Sequence, residues 1–242
     1  MTIGESDSSA ITGIQADLKT FSALGCFGSS VITSVNAQNT QDIVLRHPVP
    51  IAFIKSQIEA VLEDIHPITV KIGRLTDPDT VIAIAETLKK YPGLTIIVQP
   101  EAIDRFGKST VSPAAVVAIR ERLFPLAKLI TITIDEALLF SAHECAEQQA
   151  DLRTVAFAML KITDCVLISN MVSQGHHLHS ILATKDGYEK VFNQTNVITN
   201  NMNGVACTLA SAIAAYAAKG LPITEAVPKA IEYVLAKAMP AS

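Results

Sequence analysis

Two rhythms of apolar residues alternate along the chain. Short runs such as 94–98 (Leu-Thr-Ile-Ile-Val) and 165–168 (Cys-Val-Leu-Ile) are almost continuously apolar, which suits strands covered on both faces. Between such runs, apolar residues recur every three or four positions. After Pro50, the residues Ile51, Ile54, Ile58, Val61 and Leu62 share one helical face, and after Asp77-Pro78 the inward positions are Val81, Ile84 and Leu88. The pattern predicts a helix over 14–24 stopped by Gly25, a β-branched strand over 28–35, and the helix that Pro50 opens. It continues with strand 70–73, the helix from Asp77, strand 94–98, a helix over 112–123 and strand 129–133. Helices follow near 136–146 and 152–161, then strand 165–168. A hairpin of 180–184 and 189–192 turns at Lys185-Asp186-Gly187, and a last helix runs near 224–238.

Repeated β-α units with short connections predict one α/β domain over residues 1–242, with a largely parallel central sheet and helices on both faces. Ligands of such sheets sit beyond the carboxyl ends of the strands. The loops after Ile3, Val35, Ile72, Val98, Thr133 and Ile168, together with the turn at Gly204, are therefore where chemistry is expected.

The stretch 203–220 is the most suggestive of these. Gly204 permits a tight turn, an Ala-rich helix follows from Cys207, and Gly220 is placed to end it. The first amides of such a helix point outward unpaired and attract anions, and a thiol in the first turn would be acidified. The alternative is a small-residue helix packed closely on the sheet, with Cys207 a buried small hydrophobe.

Composition narrows the partners. Of 242 residues, 49% are hydrophobic and the net charge is −4, which argues against nucleic acid or an anionic membrane surface as the main partner. No apolar run approaches a membrane span and the start, Met1-Thr2-Ile3-Gly4, has no basic or apolar leader, so a cytoplasmic location is expected. Cys26, Cys145, Cys165 and Cys207 are widely spaced and read as reduced thiols, not as a disulfide or zinc framework.

Two segments go further than fold class. Ser6-Asp7-Ser8-Ser9, followed by Gly13-Ile14-Gln15-Ala16-Asp17-Leu18-Lys19-Thr20-Phe21-Ser22-Ala23-Leu24-Gly25, resembles the amino-terminal signature of hydroxymethylpyrimidine/phosphomethylpyrimidine kinases of thiamine biosynthesis. Ser30 to Thr40, His47-Pro48-Val49-Pro50, Val70-Lys71-Ile72-Gly73 and Gly204-Val205-Ala206-Cys207-Thr208-Leu209 continue the match in order. The resemblance implies a three-layer α/β/α ribokinase-like fold, ATP and Mg²⁺ as cosubstrates, a pyrimidine or pyridoxal-type ligand, and a homodimer. It implies that Gln38 hydrogen-bonds the aminopyrimidine, whose amino group and ring nitrogen suit a carboxamide, and that Asp17 is a pocket carboxylate. Gly204, Ala206 and Cys207 would form the anion hole beside the hydroxyl being phosphorylated, with Val205 and the retained Glu136 serving the nucleotide.

The departures from the family pattern cluster. Gly-Gly-Ala-Gly becomes Ala10-Ile11-Thr12-Gly13, and Gly-Thr-Gly-Cys becomes Gly204-Val205-Ala206-Cys207. Asp-Pro-Val becomes Gln99-Pro100-Glu101, and Lys-Ser-Gly becomes Arg105-Phe106-Gly107. A Pro-Asn pair becomes Ile132-Thr133, and Lys-Gly-Gly-His becomes Ser169-Asn170-Met171-Val172. Most of these positions serve the triphosphate, and losing one such stabilising group typically costs about 10² to 10³ in rate. In the ring pocket, Glu5 replaces a glycine and Arg74 an apolar residue, often Met; the two are expected to pair as ions, narrowing the pocket or offering a guanidinium to a substrate phosphate. Two functions follow: a kinase of hydroxymethylpyrimidine or its phosphate, or a catalytically impaired descendant that binds a pyrimidine or pyridoxal phosphate. The cluster His176-His177-Leu178-His179 reads as a polar loop before the hairpin, not a metal site, and a hydrolase built on Cys207 lacks an identifiable His partner.

Overall fold

The computed structural model describes residues 1–104, 107–141, 151–170, 177–195 and 204–238. The strands are β1 (Thr2–Asp7), β2 (Ser30–Gln38), β3 (Ile43–Pro48), β4 (Thr69–Ile72), β5 (Thr95–Val98), β6 (Leu129–Thr133), β7 (Cys165–Asn170), β8 (His177–Thr184) and β9 (Glu189–Thr195). Among the described residues they form a nine-stranded sheet in the order β3-β2-β1-β4-β5-β6-β7-β8-β9. The run from β2 to β7 is parallel, and antiparallel strands finish both edges. The helices are α1 (Gly13–Ala23), α2 (Ile51–Asp64), α3 (Pro78–Leu88), α4 (Pro113–Ala118), α5 (Ile134–Phe140), α6 (Leu152–Met159), α7 (Val205–Ala218) and α8 (Ile223–Ala238). None is long and apolar enough to cross a membrane, among the described residues.

Two apolar cores explain the strand composition. Side chains of a strand alternate between faces, so a strand covered on both sides must be apolar at every position. On one side Ile96, Val98, Ile130, Ile132, Val166 and Ile168 meet α2 through α6; on the other Ile97, Leu129 and Leu167 meet α1, α7 and α8. α7 can lie close to the sheet because its inward face is mostly small, with Ala210, Ser211, Ala212 and Ala214 all buried.

Several elements differ from the periodicity-based expectation. β3 was not anticipated: its residues are half-buried or exposed at an edge, where no apolar rhythm is required, yet it pairs antiparallel with β2. The helix expected over 112–123 keeps α geometry only to Ala118, then widens into a π-turn (Ile119–Leu123). α5 starts earlier than expected, where Thr133 and Glu136 form a reciprocal capping box, and 142–146 lie outside the described residues. The hairpin is longer than its pattern, so His177 and His179 belong to β8 instead of a loop, while His176 is outside the described residues.

Strand order locates the site. The chain runs outward from β1 to β2 and β3, then returns to place β4 on the other side of β1. A crevice opens at this switch point, lined by Glu5 and Asp7 of β1 and by Lys71 and Arg74 at the end of β4.

Candidate active site

The turn after β1 is built on one carboxylate. Asp7 accepts from the amide and hydroxyl of Ser9 at 2.8 and 2.7 Å, and from the amide and hydroxyl of Thr12 at 2.8 Å each. Burial raises its pKa, but the Ser9 hydroxyl and the Thr12 donors outweigh that and hold it below the ordinary carboxylate value. The turn ends at Gly13, whose φ of 61° and approach to the Glu5 carbonyl leave no room for a Cβ.

Glu5, on β1, gathers two guanidinium groups. Arg74 donates from Nε at 3.0 Å and from Nη2 at 2.7 Å to Oε2, as the sequence led one to expect. Arg46, on the unanticipated β3, brings its Nε to 3.2 Å from Oε1, and Asn36 donates to Oε2 at 2.9 Å. Burial works against the Arg74 charge, but Glu5 overrides it and holds the pKa above the usual arginine value. Arg46 is shifted the other way, by burial and by Arg74, with Glu5 opposing.

Asp17 lies below this layer and is 1% exposed. It takes the Lys71 ammonium at 3.0 Å on both oxygens, the Thr2 hydroxyl at 2.6 Å and the Ser211 hydroxyl at 2.6 Å. Four elements, β1, α1, β4 and α7, therefore meet on one carboxylate whose acceptor positions are filled. Burial opposes the Lys71 charge, but Asp17 first, then Cys207 and Glu101, hold its pKa above the normal lysine range.

At the start of α7, Gly204 adopts φ 79°, and a Cβ there would stand 2.2 Å from the Ile11 carbonyl oxygen. No side chain of the described residues caps this helix, so its first amides stay open by helix geometry. Ala206 reaches the wall of a cleft of about 570 Å³; Val205 is half-buried and does not line it. Of the two readings of this stretch, the buried small residue holds for Cys207 and the acidified thiol does not. Cys207 is 1% exposed, and burial, followed by the Glu101 carboxylate, pushes its pKa well above the ordinary thiol value, with only Lys71 opposing. Its Sγ donates to Glu101 Oε1 at 2.7 Å.

The cleft runs along the carboxyl ends of the strands, from the β2–β3 turn past Arg74 and Glu101 to Thr131–Thr133, Ser169 and Ala206. Gln38 stands at one end. Its Nε2 donates to Thr12 at 3.2 Å, and its buried Oε1 has no hydrogen-bond partner among the described residues. Beneath lies a recess of about 10 Å³, bounded by Glu5, Asp17, Gln38, Lys71, Arg74 and Glu101, with room for about one water. Gln38 and Asp17 thus border the same recess, with Cys207 screened from it by Glu101. Glu136 is buried, accepting from the Thr133 amide at 2.8 Å and the Ala102 amide at 2.6 Å, so it ties α5 to the loop after β5; burial raises its pKa against these two donors. Cys145, Arg105-Phe106, Met171-Val172 and Asn203 lie outside the described residues.

Sequence reasoning missed Arg46, Lys71 and Glu101 as parts of the site. Arg46 was readable only through the turn-forming 39–42, in which Asn39 Oδ1 accepts the Gln41 and Asp42 amides. Lys71 carried a plainer signal, a cation inside an apolar strand.

A family model described as phosphomethylpyrimidine kinase matches residues 7–241. The chain belongs to the phosphomethylpyrimidine kinase family. It is 38% identical over 239 residues to a hydroxymethylpyrimidine/phosphomethylpyrimidine kinase of Rhizobium meliloti (strain 1021), covering 97% of this chain and 88% of the relative. It is 36% identical over 241 residues to the thiamine biosynthesis bifunctional protein ThiED of Geobacter sulfurreducens, of which it spans only 48%. A crystal structure of the phosphomethylpyrimidine kinase of Clostridium difficile 630 aligns with a TM-score of 0.86 at 37% identity, covering 98% of both chains. The ADP complex of Bacillus subtilis pyridoxal kinase aligns at 0.85 with 26% identity, over 96% of this chain and 88% of that one. The fold is thus that of the ribokinase-like vitamin kinases, three layers around a mostly parallel sheet.

Proposed function

We propose that residues 1–242 act as one kinase domain that moves the γ-phosphoryl group of ATP to the hydroxyl of hydroxymethylpyrimidine or its phosphate. The observation that carries this is Gln38: a carboxamide with an unsatisfied, buried Oε1 at the end of a cleft suited to a small ligand. A ring amino group would donate to that oxygen. The recess below is too small for a pyrimidine, so the ring would lie in the cleft above Arg74, with Asp17 acting indirectly by holding Lys71.

The uncapped start of α7 fits a phosphate, because open amides and the helix dipole favour an anion there. Ala206 and Cys207 would supply these amides, and ATP would supply the phosphoryl group. Among the described residues no group of three or more His, Cys, Asp or Glu could hold a metal, so Mg²⁺ would arrive on the phosphates. The family resemblance further supports a homodimer. Val44 and Leu45 on edge strand β3 are 72% and 67% exposed, a surface a second copy would cover. The reduced Cys26, Cys165 and Cys207 suit a cytoplasmic enzyme.

The test is ADP release with hydroxymethylpyrimidine and Mg-ATP, run beside a thermal-shift series of ring compounds and nucleotides. ADP formation that needs the ring alcohol is expected, with stabilisation by both ligands. Stabilisation by the ring alone, without ADP, would leave a binding protein and overturn the kinase reading.

A further inference from the structure

We propose that Glu101 is the general base of this site, receiving the proton of the ring alcohol as it attacks phosphorus. The inference rests on the kinase reading above and names a residue for it. Glu101 lines both the cleft and the recess beneath, so it stands at the boundary between the space for a ring and the start of α7. Its hydrogen bonds, from Cys207 Sγ at 2.7 Å and Gln99 Nε2 at 3.2 Å, both fall on Oε1. Oε2 takes no hydrogen bond among the described residues and is available to a ligand hydroxyl.

Cys207 already donates its proton to Glu101 Oε1, so in this arrangement the thiol orients the carboxylate. The backbone of Glu101 is held in a conformation that a side chain rarely adopts, φ 47°. Its neighbours impose that strain: the Thr110 hydroxyl donates to the Glu101 carbonyl at 2.8 Å, and Glu136 grips the next amide. A strained residue fixed from both sides is expected where a side chain must be aimed.

The step balances. The substrate O–H bond breaks and its proton passes to Glu101 Oε2. The oxygen's electron pair forms the bond to the γ-phosphorus, and the bond from that phosphorus to the β,γ-bridging oxygen breaks, its electron pair leaving with ADP. Lys71 and Arg74 at the end of β4 face Glu101 with positive charge, Glu136 of α5 with negative charge, and Cys207 of α7 as donor.

The variant Glu101→Gln tests this. A general base contributes about 10² to 10⁴ in rate, so kcat should fall at least a hundredfold while KM for the ring alcohol stays within threefold. Thermal stabilisation by hydroxymethylpyrimidine without nucleotide should persist. Glu101→Asp, which keeps a carboxylate, should recover part of kcat and guards against a folding defect in the amide variant. Wild-type turnover with kcat of Glu101→Gln within threefold, or a change confined to KM, overturns the base and leaves the kinase reading standing. A wild-type chain without turnover removes that reading and the base with it.

Discussion

Asp17 and Lys71 show how one ion pair can decide both stability and site geometry. Each is 1% exposed; the family resemblance marked Asp17 as a pocket carboxylate, while Lys71 was visible in the sequence only as a charge within a strand pattern. Removing one partner strands the other in the interior. Asp17→Asn should cost about 3–5 kcal/mol, read as a lower urea midpoint, and pairing it with Lys71→Met should recover part of that loss. Asp7 adds a pH dependence. Its folded pKa lies below the unfolded value of about 3.9, so its contribution is present above that pH and is lost as pH falls through the folded pKa. Asp7→Asn should therefore lower stability at neutral pH and flatten the acid limb of a stability–pH curve below about pH 4, measured by chemical denaturation.

The start of α7 was legible as an element, because Gly204, the Ala-rich run and Gly220 are local signals. What faces it was not. Gly204 and Gly220 both have left-handed φ, 79° and 89°, but a Cβ at Gly220 would meet nothing, while at Gly204 it would strike the Ile11 carbonyl. Gly220→Ala should thus cost about 1 kcal/mol, a drop of about 2–4 °C in Tm, and Gly204→Ala clearly more, with displacement of the helix start. Parallel melts of the two variants check this; equal losses would show that the Ile11 contact yields easily. The acidified-thiol alternative for Cys207 fails for a similar reason. A helix dipole is a local property, but burial and a carboxylate from the loop after β5 are not, and together they outweigh it at Cys207.

The sheet as a whole explains why the site sits where it does, and also exposes its weakest edge. Crossing outward to β3 and back to β4 opens the crevice, and leaves Val44 and Leu45 on an unpaired flank. Leu45→Asp should turn a dimer into a monomer by light scattering, with little loss of monomer stability because the side chain is already 67% exposed. A wild-type chain that is monomeric at micromolar concentration would remove the dimer proposal.

Alternation of apolar runs and helical faces was enough to set the parallel sheet, since both requirements are met within a few neighbouring residues. The motifs around Gln38 and Gly204 supply the proposed ring and phosphate ends of the site. Only the folded chain could bring Arg46 onto Glu5 beside the anticipated Arg74, Lys71 onto Asp17, and Glu101 onto Cys207. The pairs Arg46–Glu5, Lys71–Asp17 and Cys207–Glu101 join residues 41 to 106 positions apart. Electrostatic partnership at such separations depends on strand order and on exclusion of water, and neither is written in any local stretch of sequence.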